Sequence, residues 1–146
     1  QLFLSLGLQQ RGLGNAANSK AVVDAWWHER FGQEPPFMDK GSGLIREARI
    51  SPQALAALLQ WVWLQPFMPE MMSSLPLTGV DGTLKRSKST AMAHLKTGSL
   101  RDVMGVAGYV DAAQGQRYVL VVIVNHANAY QARPVIDALI DWTAGK

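Results

Sequence analysis

The hydrophobic pattern of this chain changes from a helical to an extended period near residue 92. Before that point apolar residues recur every three or four positions, whereas residues 92–99, 103–111 and 117–125 read as three strands. Short connections, such as the one that carries Gly115, require neighbouring strands to be antiparallel. The pattern therefore predicts helices first, an antiparallel meander next, and a closing helix.

One predicted strand is apolar on both of its faces. Residues 118–124 read YVLVVIV, the longest apolar run in the chain. An antiparallel strand of this kind has to be covered above and below the sheet. We therefore expect an α+β protein with an antiparallel sheet covered by helices on both faces. One cover is predicted at residues 134–142, where Ile136, Leu139 and Ile140 share a helix face.

The N-terminal residues, QLFLSLGL, are apolar and have no helix-capping residue ahead of Leu2, although Gly7 and Gly12 are typical stop signals. We expect the chain to begin inside a helix whose first turns lie upstream. A chain shortened in this way is expected to expose apolar surface or to share it between copies, because part of the cover of the sheet is missing.

Two further helices are predicted from their capping signals. One covers residues 15–31 and ends at Gly32, and the other starts at Ser51 as its N-cap and continues to Pro66. Shorter elements are expected around them: a strand at 37–38, a glycine-containing loop at 39–44, a helix near 70–72 and a turn at 80–82.

Composition excludes several classes of site. The chain has no Cys, which rules out a disulfide scaffold, a thiolate zinc site and a cysteine nucleophile. The three histidines lack metal-ligand spacing, so no metal and no cofactor is expected. The net charge of +3 and one short basic cluster at residues 85–88 do not indicate nucleic-acid binding. No apolar run is long enough for a transmembrane segment, and we do not expect residues 1–8 to be a signal peptide, because they lack a charged region and a cleavage site.

The triplet Lys96-Thr97-Gly98 lies in the first predicted strand and carries the most specific chemistry. In penicillin-recognising serine enzymes this triplet stands on the strand that borders the active site. The Lys96 ammonium can attract a carboxylate and assist proton movement at a neighbouring serine. The Thr97 hydroxyl can donate to that carboxylate. Gly98 lets a substrate backbone approach, and the backbone N–H of Ser99 can face a developing oxyanion.

Taken alone, the triplet has a second interpretation. A Lys-Thr-Gly triplet is expected by chance in roughly a few of every hundred chains of this length. In such a chain it would be no more than an exposed Lys and Thr on an edge strand. Its sequence context decides between the two interpretations. The segment HLKTGSLRDV at residues 94–103, followed by AGYV at 107–110, resembles the class C low-molecular-mass penicillin-binding proteins, the D-alanyl-D-alanine carboxypeptidase/endopeptidases of bacterial cell walls. Two more blocks are similar to the same family in the same order: GSGLIR at 41–46 and LPLTGVDGTL at 75–84.

The resemblance implies that residues 1–146 are the C-terminal portion of a penicillin-binding serine peptidase domain with a partial penicillin-binding-protein/β-lactamase-like transpeptidase fold. It implies an acyl-enzyme mechanism in which a serine of an SxxK motif attacks the D-Ala-D-Ala peptide carbonyl. Lys96 would act electrostatically, Thr97 would bind the terminal carboxylate, and Ser99 would contribute to the oxyanion hole. The implied partners are peptidoglycan stem peptides ending in D-Ala-D-Ala and β-lactam inhibitors, and the implied location is periplasmic or extracytoplasmic.

The sequence also departs from the family pattern. It contains neither Ser-x-x-Lys nor Ser-x-Asn, and Ile45 stands where the family usually has a serine. We therefore expect this chain to be inactive alone. The sequence leaves two alternatives open: a piece of a β-lactamase-like hydrolase, and a non-catalytic peptide- or partner-binding domain.

Overall fold

The computed structural model describes residues 1–43 and 45–146, which form two compact units, Gln1–Ala54 and Leu55–Lys146. Residue 44, which belongs to the loop predicted at 39–44, lies outside the described residues. Within the described ranges, no helix is both long enough and apolar enough to cross a membrane.

The first unit contains two helices, α1 (Leu2–Arg11) and α2 (Ala16–Phe31). The predicted helix at 15–31 is confirmed. The Asn15 side chain caps α2 by accepting a hydrogen bond from the backbone N–H of Asn18 at 2.8 Å. The left-handed conformation of Gly32, with φ of 59°, ends the helix as expected from sequence.

The strand expected at residues 37–38 is wrong as an element. Phe37 forms only an isolated antiparallel bridge with Arg49, through backbone hydrogen bonds of 2.8 and 3.0 Å. Pro35 and Pro36 precede the bridge and have no backbone N–H to donate, so the pairing is not extended toward the N-terminus.

The second unit begins within the third helix and holds the sheet. The elements are α3 (Pro52–Trp63), α4 (Met68–Ser74), β1 (Ala93–Leu100), β2 (Val103–Asp111), β3 (Arg117–Asn125) and α5 (Arg133–Ala144), with 3-10 helices at Gly82–Arg86 and Ala129–Ala132. Ser51 caps α3 as predicted, since its hydroxyl accepts from the backbone N–H of Ala54 at 3.0 Å. The helix ends at Trp63 rather than at Pro66, because a proline disfavours helical geometry in the residue before it.

The three strands form an antiparallel meander in the order β1-β2-β3, as predicted. Leu100 pairs with Val103 across the two-residue turn between β1 and β2, in which Asp102 takes a positive φ of 65°. β1 lies at one edge of this sheet.

Helices cover both faces of the sheet, which confirms the expectation from the apolar run at 118–124. On one face α5 buries Ile136 and Ile140 against the sheet, with Leu120 and Val122 of β3 packed on the same cluster. On the other face α3 and α4 pack on Tyr109, and here β3 contributes Val119 and Val121. Alternate residues of β3 therefore enter two different cores.

Candidate active site

The outer edge of β1 is paired only where the strand begins. The backbone N–H of Leu95 donates to Pro76 O at 2.9 Å, and Ala93 O accepts from the N–H of Thr78 at 3.0 Å. Backbone groups of alternate residues point to the same side of a strand, so the N–H groups of Thr97 and Ser99 are directed to this outer edge as well. No strand pairs with that part of the edge in the described portion of the chain.

The Lys96 side chain lies at the same edge. It is exposed, and its Nζ donates a hydrogen bond to the backbone carbonyl of Thr97 at 2.8 Å. The Thr97 carbonyl points to the outer edge of β1, because backbone groups of alternate residues point to the same side of a strand and Ala93 O points to Thr78 at that edge. The ammonium is therefore at the rim of the sheet and in solvent, rather than beneath packed side chains.

Thr97 is half-buried and faces a cavity. Its hydroxyl forms a hydrogen bond with the hydroxyl of Thr83, which belongs to the 3-10 helix at Gly82–Arg86. Thr97, Gly98 and Ser99 all line a cavity of about 210 Å³. A Cβ placed on Gly98 would meet no atom within 4 Å, so the space above this residue is open.

The other side of the cavity comes from residues that the sequence did not suggest. Arg86 and Ser87 follow Thr83, while Arg133 and Asp137 belong to the first turns of α5. The carboxylate of Asp137 accepts hydrogen bonds from Ser87 Oγ at 2.6 Å and from the backbone N–H of Lys88 at 3.1 Å. The only available sequence signal was the basic cluster at 85–88, which says nothing about a cavity.

Asp141 of α5 holds the chain segment that leads into β1. Its carboxylate accepts from Ser89 Oγ at 2.7 Å, from the N–H of Thr90 at 3.0 Å and from the N–H of Ala91 at 3.3 Å. The Ser89 hydrogen bond lowers the pKa of Asp141 most, and the two backbone bonds lower it further, against a desolvation effect that raises it. Helix α5 thus fixes the entry to the strand that carries Lys96.

This arrangement suits the binding of an extended peptide with a carboxylate. An unpaired strand edge offers backbone N–H groups to a second strand, and the adjacent ammonium and hydroxyl can interact with an anionic group. Among the described residues, no group of three or more His, Asp or Glu side chains could hold a metal ion.

The sequence profile of the D-Ala-D-Ala carboxypeptidase 3 (S13) family matches residues 20–146. D-alanyl-D-alanine carboxypeptidase DacB of Haemophilus influenzae is 29% identical over 66% of this chain and 21% of its own length. The crystal structure of penicillin binding protein 4 from Haemophilus influenzae, complexed with a β-lactam, superposes with a TM-score of 0.77 at 20% identity, over 97% of this chain and 36% of that one. The structure of PBP-A superposes with a TM-score of 0.63 at 20% identity, over 90% of this chain and 56% of that one.

The structural comparisons agree on one fold, and the sequence profile identifies one family. The structural matches, at about one residue in five identical, concern the fold. The chain spans 21% of the length of the carboxypeptidase and 36% of the length of penicillin binding protein 4. The family profile, in contrast, covers the Lys96-Thr97-Gly98 strand, the sheet and the helices that pack on it. The chain belongs to the D-Ala-D-Ala carboxypeptidase 3 (S13) family.

Proposed function

We propose that this chain is the C-terminal portion, residues 1–146, of a serine-type D-Ala-D-Ala carboxypeptidase domain that acts on peptidoglycan stem peptides outside the cytoplasm. The supporting observation is the position of Lys96, Thr97 and Ser99 along an open strand edge, in a chain of the D-Ala-D-Ala carboxypeptidase family. The substrate peptide would lie along this edge as an additional strand.

Each of the four residues has a separate task in this proposal. Lys96 supplies a fixed positive charge at the rim, which favours the anionic groups of substrate and transition state. Thr97 donates its hydroxyl to the terminal carboxylate, and the backbone N–H of Ser99 donates to the oxygen of the carbonyl under attack. Gly98 leaves room for the peptide, consistent with the open space around its Cα.

The reaction needs the serine and the lysine of an SxxK motif, which these 146 residues do not contain. A serine of an SxxK motif would attack the carbonyl carbon of the D-Ala-D-Ala bond, and the SxxK lysine would accept its proton. The lysine would pass this proton to the nitrogen of the terminal D-Ala, which would leave as an amine, and water would then hydrolyse the acyl-enzyme to release the shortened peptide and restore the serine hydroxyl. The present chain supplies binding and electrostatic groups, and β-lactams are expected to occupy the same edge, as the β-lactam complex of a structural relative suggests.

A second candidate is a non-catalytic peptide-binding domain. The absence of Ser-x-x-Lys and Ser-x-Asn from the sequence favours it. The two candidates differ in what the reading frame encodes upstream of Gln1: both motifs are required for the enzyme, and neither is required for a binding domain.

Peptide binding by the chain itself can be tested by NMR. We expect N-acetyl-D-Ala-D-Ala to shift the backbone amides of residues 96–99, and N-acetyl-L-Ala-L-Ala to shift them much less. A Lys96→Met variant, which keeps the aliphatic stem and removes the charge, should bind several-fold more weakly. Equal responses to the two stereoisomers would contradict the proposed substrate.

A further inference from the structure

The outer face of α5 exposes two large apolar side chains to solvent. Trp142 is 63% exposed and Val135 is 60% exposed. Residues three or four positions apart are neighbours on a helix surface, so Ala138, which is also exposed, lies between them. Ile136 and Ile140 occupy the inner face of the same helix, against the sheet. Val135, Ala138 and Trp142 therefore form an apolar ridge on the outside of α5, which we call the outer ridge.

A basic groove lies beside the outer ridge. Arg86, Lys88 and Arg133 line a groove of about 480 Å³ together with Pro134 and Ala138. Ala138 belongs to both features, so the cations and the outer ridge form one continuous surface. Within the part of the chain that the structure describes, the side chains of these three cations form no ion pair or hydrogen bond.

The two carboxylates that border the groove are engaged by the chain itself. Asp137 and Asp141 accept hydrogen bonds from side-chain and backbone groups of residues 87–91. These hydrogen bonds hold that segment against α5 and so fix the positions of Arg86 and Lys88. Three cations and two carboxylates leave the groove with one net positive charge.

Aromatic side chains are exposed at both ends of this surface. Tyr130, which precedes α5, is 69% exposed. At the other end, Lys146 Nζ lies 3.8 Å from the centroid of the Trp142 ring and adds a further cation. Tyr and Trp combine an apolar ring with a polar O–H or N–H group, and both are favoured where hydrocarbon meets water.

An anionic lipid surface matches this combination of groups. Exposed aromatic and aliphatic side chains flanked by Lys and Arg are typical of helices that lie in the interface of an anionic membrane. A soluble polyanion would use the cations but not the outer ridge. A second copy of this chain fits less well, because a symmetric contact through the same surface would bring Arg86 and Arg133 against like charges.

We infer that the outer ridge and the basic groove bind the surface of an anionic membrane. Lipid phosphate groups would interact with Arg86, Lys88 and Arg133, whose long side chains can lie along apolar surface while their charged ends reach the phosphates. Val135 and Trp142 would enter the headgroup region. The inference goes beyond the proposed function, which uses the outer edge of β1, and does not depend on it.

Co-sedimentation of the whole chain with lipid vesicles tests the role of the charges. We expect vesicles of equal parts phosphatidylglycerol and phosphatidylcholine to bind about tenfold more tightly than vesicles of phosphatidylcholine alone, a preference that added NaCl reduces. Arg86→Gln/Arg133→Gln should weaken binding to the anionic vesicles about tenfold. Arg11→Gln/Lys40→Gln removes the same charge from exposed residues of the first unit and should weaken it about twofold or less.

Two matched substitutions test the outer ridge. Val135→Ser should weaken vesicle binding several-fold, whereas Val80→Ser, at a residue that is also 60% exposed, should leave it unchanged. Tryptophan emission of the wild type should move to shorter wavelength when anionic vesicles are added. Most of this shift should be lost in Trp142→Phe, because Trp142 is the tryptophan placed in the headgroup region.

Three results would overturn the inference. The first is a folded wild type that binds inorganic polyphosphate, or nothing, but not anionic vesicles. The second is an equal loss of binding in the two charge-reduced variants, which would indicate attraction by net charge alone. The third is an equal effect of the two valine substitutions, which would exclude the outer ridge. None of these results bears on peptide binding at residues 96–99, and thermal unfolding of each variant verifies that the fold is retained.

Discussion

Gly108 of β2 lies directly against the backbone carbonyl of His94 of β1. A Cβ on residue 108 would be 2.2 Å from that oxygen and 3.0 Å from the Cα of Leu95, and Gly108 has a positive φ of 150°. The close approach of the two strands therefore depends on the absence of a side chain here.

Gly108→Ala is expected to lower the free energy of unfolding by about 3 kcal/mol or more, because the strands must separate or the backbone must shift. Gly98→Ala is the matched control on the neighbouring strand, since a Cβ there meets no atom within 4 Å. It should leave thermal unfolding nearly unchanged but weaken binding of N-acetyl-D-Ala-D-Ala. A Gly108→Ala variant as stable as the wild type would contradict the strand geometry.

The buried hydroxyl of Tyr109 links the sheet to α3. It donates to the carbonyl of Leu59 at 2.7 Å, and burial raises the pKa of Tyr109. We expect Tyr109→Phe to lower the free energy of unfolding in urea by about 1 kcal/mol, through loss of a buried hydrogen bond. Tyr130→Phe, at a residue that is 69% exposed, should have no measurable effect. Equal effects of the two substitutions would show that the buried hydrogen bond of Tyr109 does not contribute to the free energy of unfolding.

The carboxylate of Asp141 makes stability depend on pH in the acidic range. Because its pKa is lower in the folded chain than its ordinary value of 3.8, its contribution is present above that value and is lost as the pH falls through the folded pKa. Thermal unfolding should therefore show a decrease in stability below about pH 4 that is smaller in Asp141→Asn. Asp39→Asn, at an exposed residue of the first unit, should keep the decrease.

Covalent labelling tests whether the chain contains a serine that a penicillin can acylate. Since the 146 residues contain no Ser-x-x-Lys, we expect no acylation by a fluorescent penicillin after gel electrophoresis under denaturing conditions. Binding and oxyanion contacts alone give at most residual catalysis. A covalent band that unlabelled penicillin competes away would reveal a nucleophile elsewhere in the sequence.

Apolar side chains on α1 are expected to promote self-association. Leu2 is 87% exposed and Leu8 is 56% exposed. Light scattering should give a mass above the 16.0 kDa of one chain, and Leu2→Ser/Leu8→Ser should lower it. Lys20→Ser, a polar substitution on α2, should not. A monomer that binds no hydrophobic dye would exclude the expected association.

The local signals in the sequence were sufficient for most elements. Ser51 marked the start of α3, Gly32 marked the end of α2, and the apolar run at 118–124 required cover on two faces, which α3, α4 and α5 provide. These features depend on capping and on hydrophobic periodicity, and both are encoded within a few neighbouring residues. The expected strand at 37–38 failed because pairing also depends on the partner strand and on the adjacent prolines.

The sequence by itself determined the α+β architecture, the meander and the identity of Lys96, Thr97, Gly98 and Ser99 as candidate residues. Only the tertiary structure decided what surrounds them. Arg133 is far from Thr97 in sequence but lines the same cavity, and Asp137 holds Ser87 across 50 positions. Periodicity reports which face of an element is apolar, whereas exposed charged and hydroxyl side chains have no such pattern. Their meeting depends on how α5 and the 3-10 helix pack against the edge of the sheet.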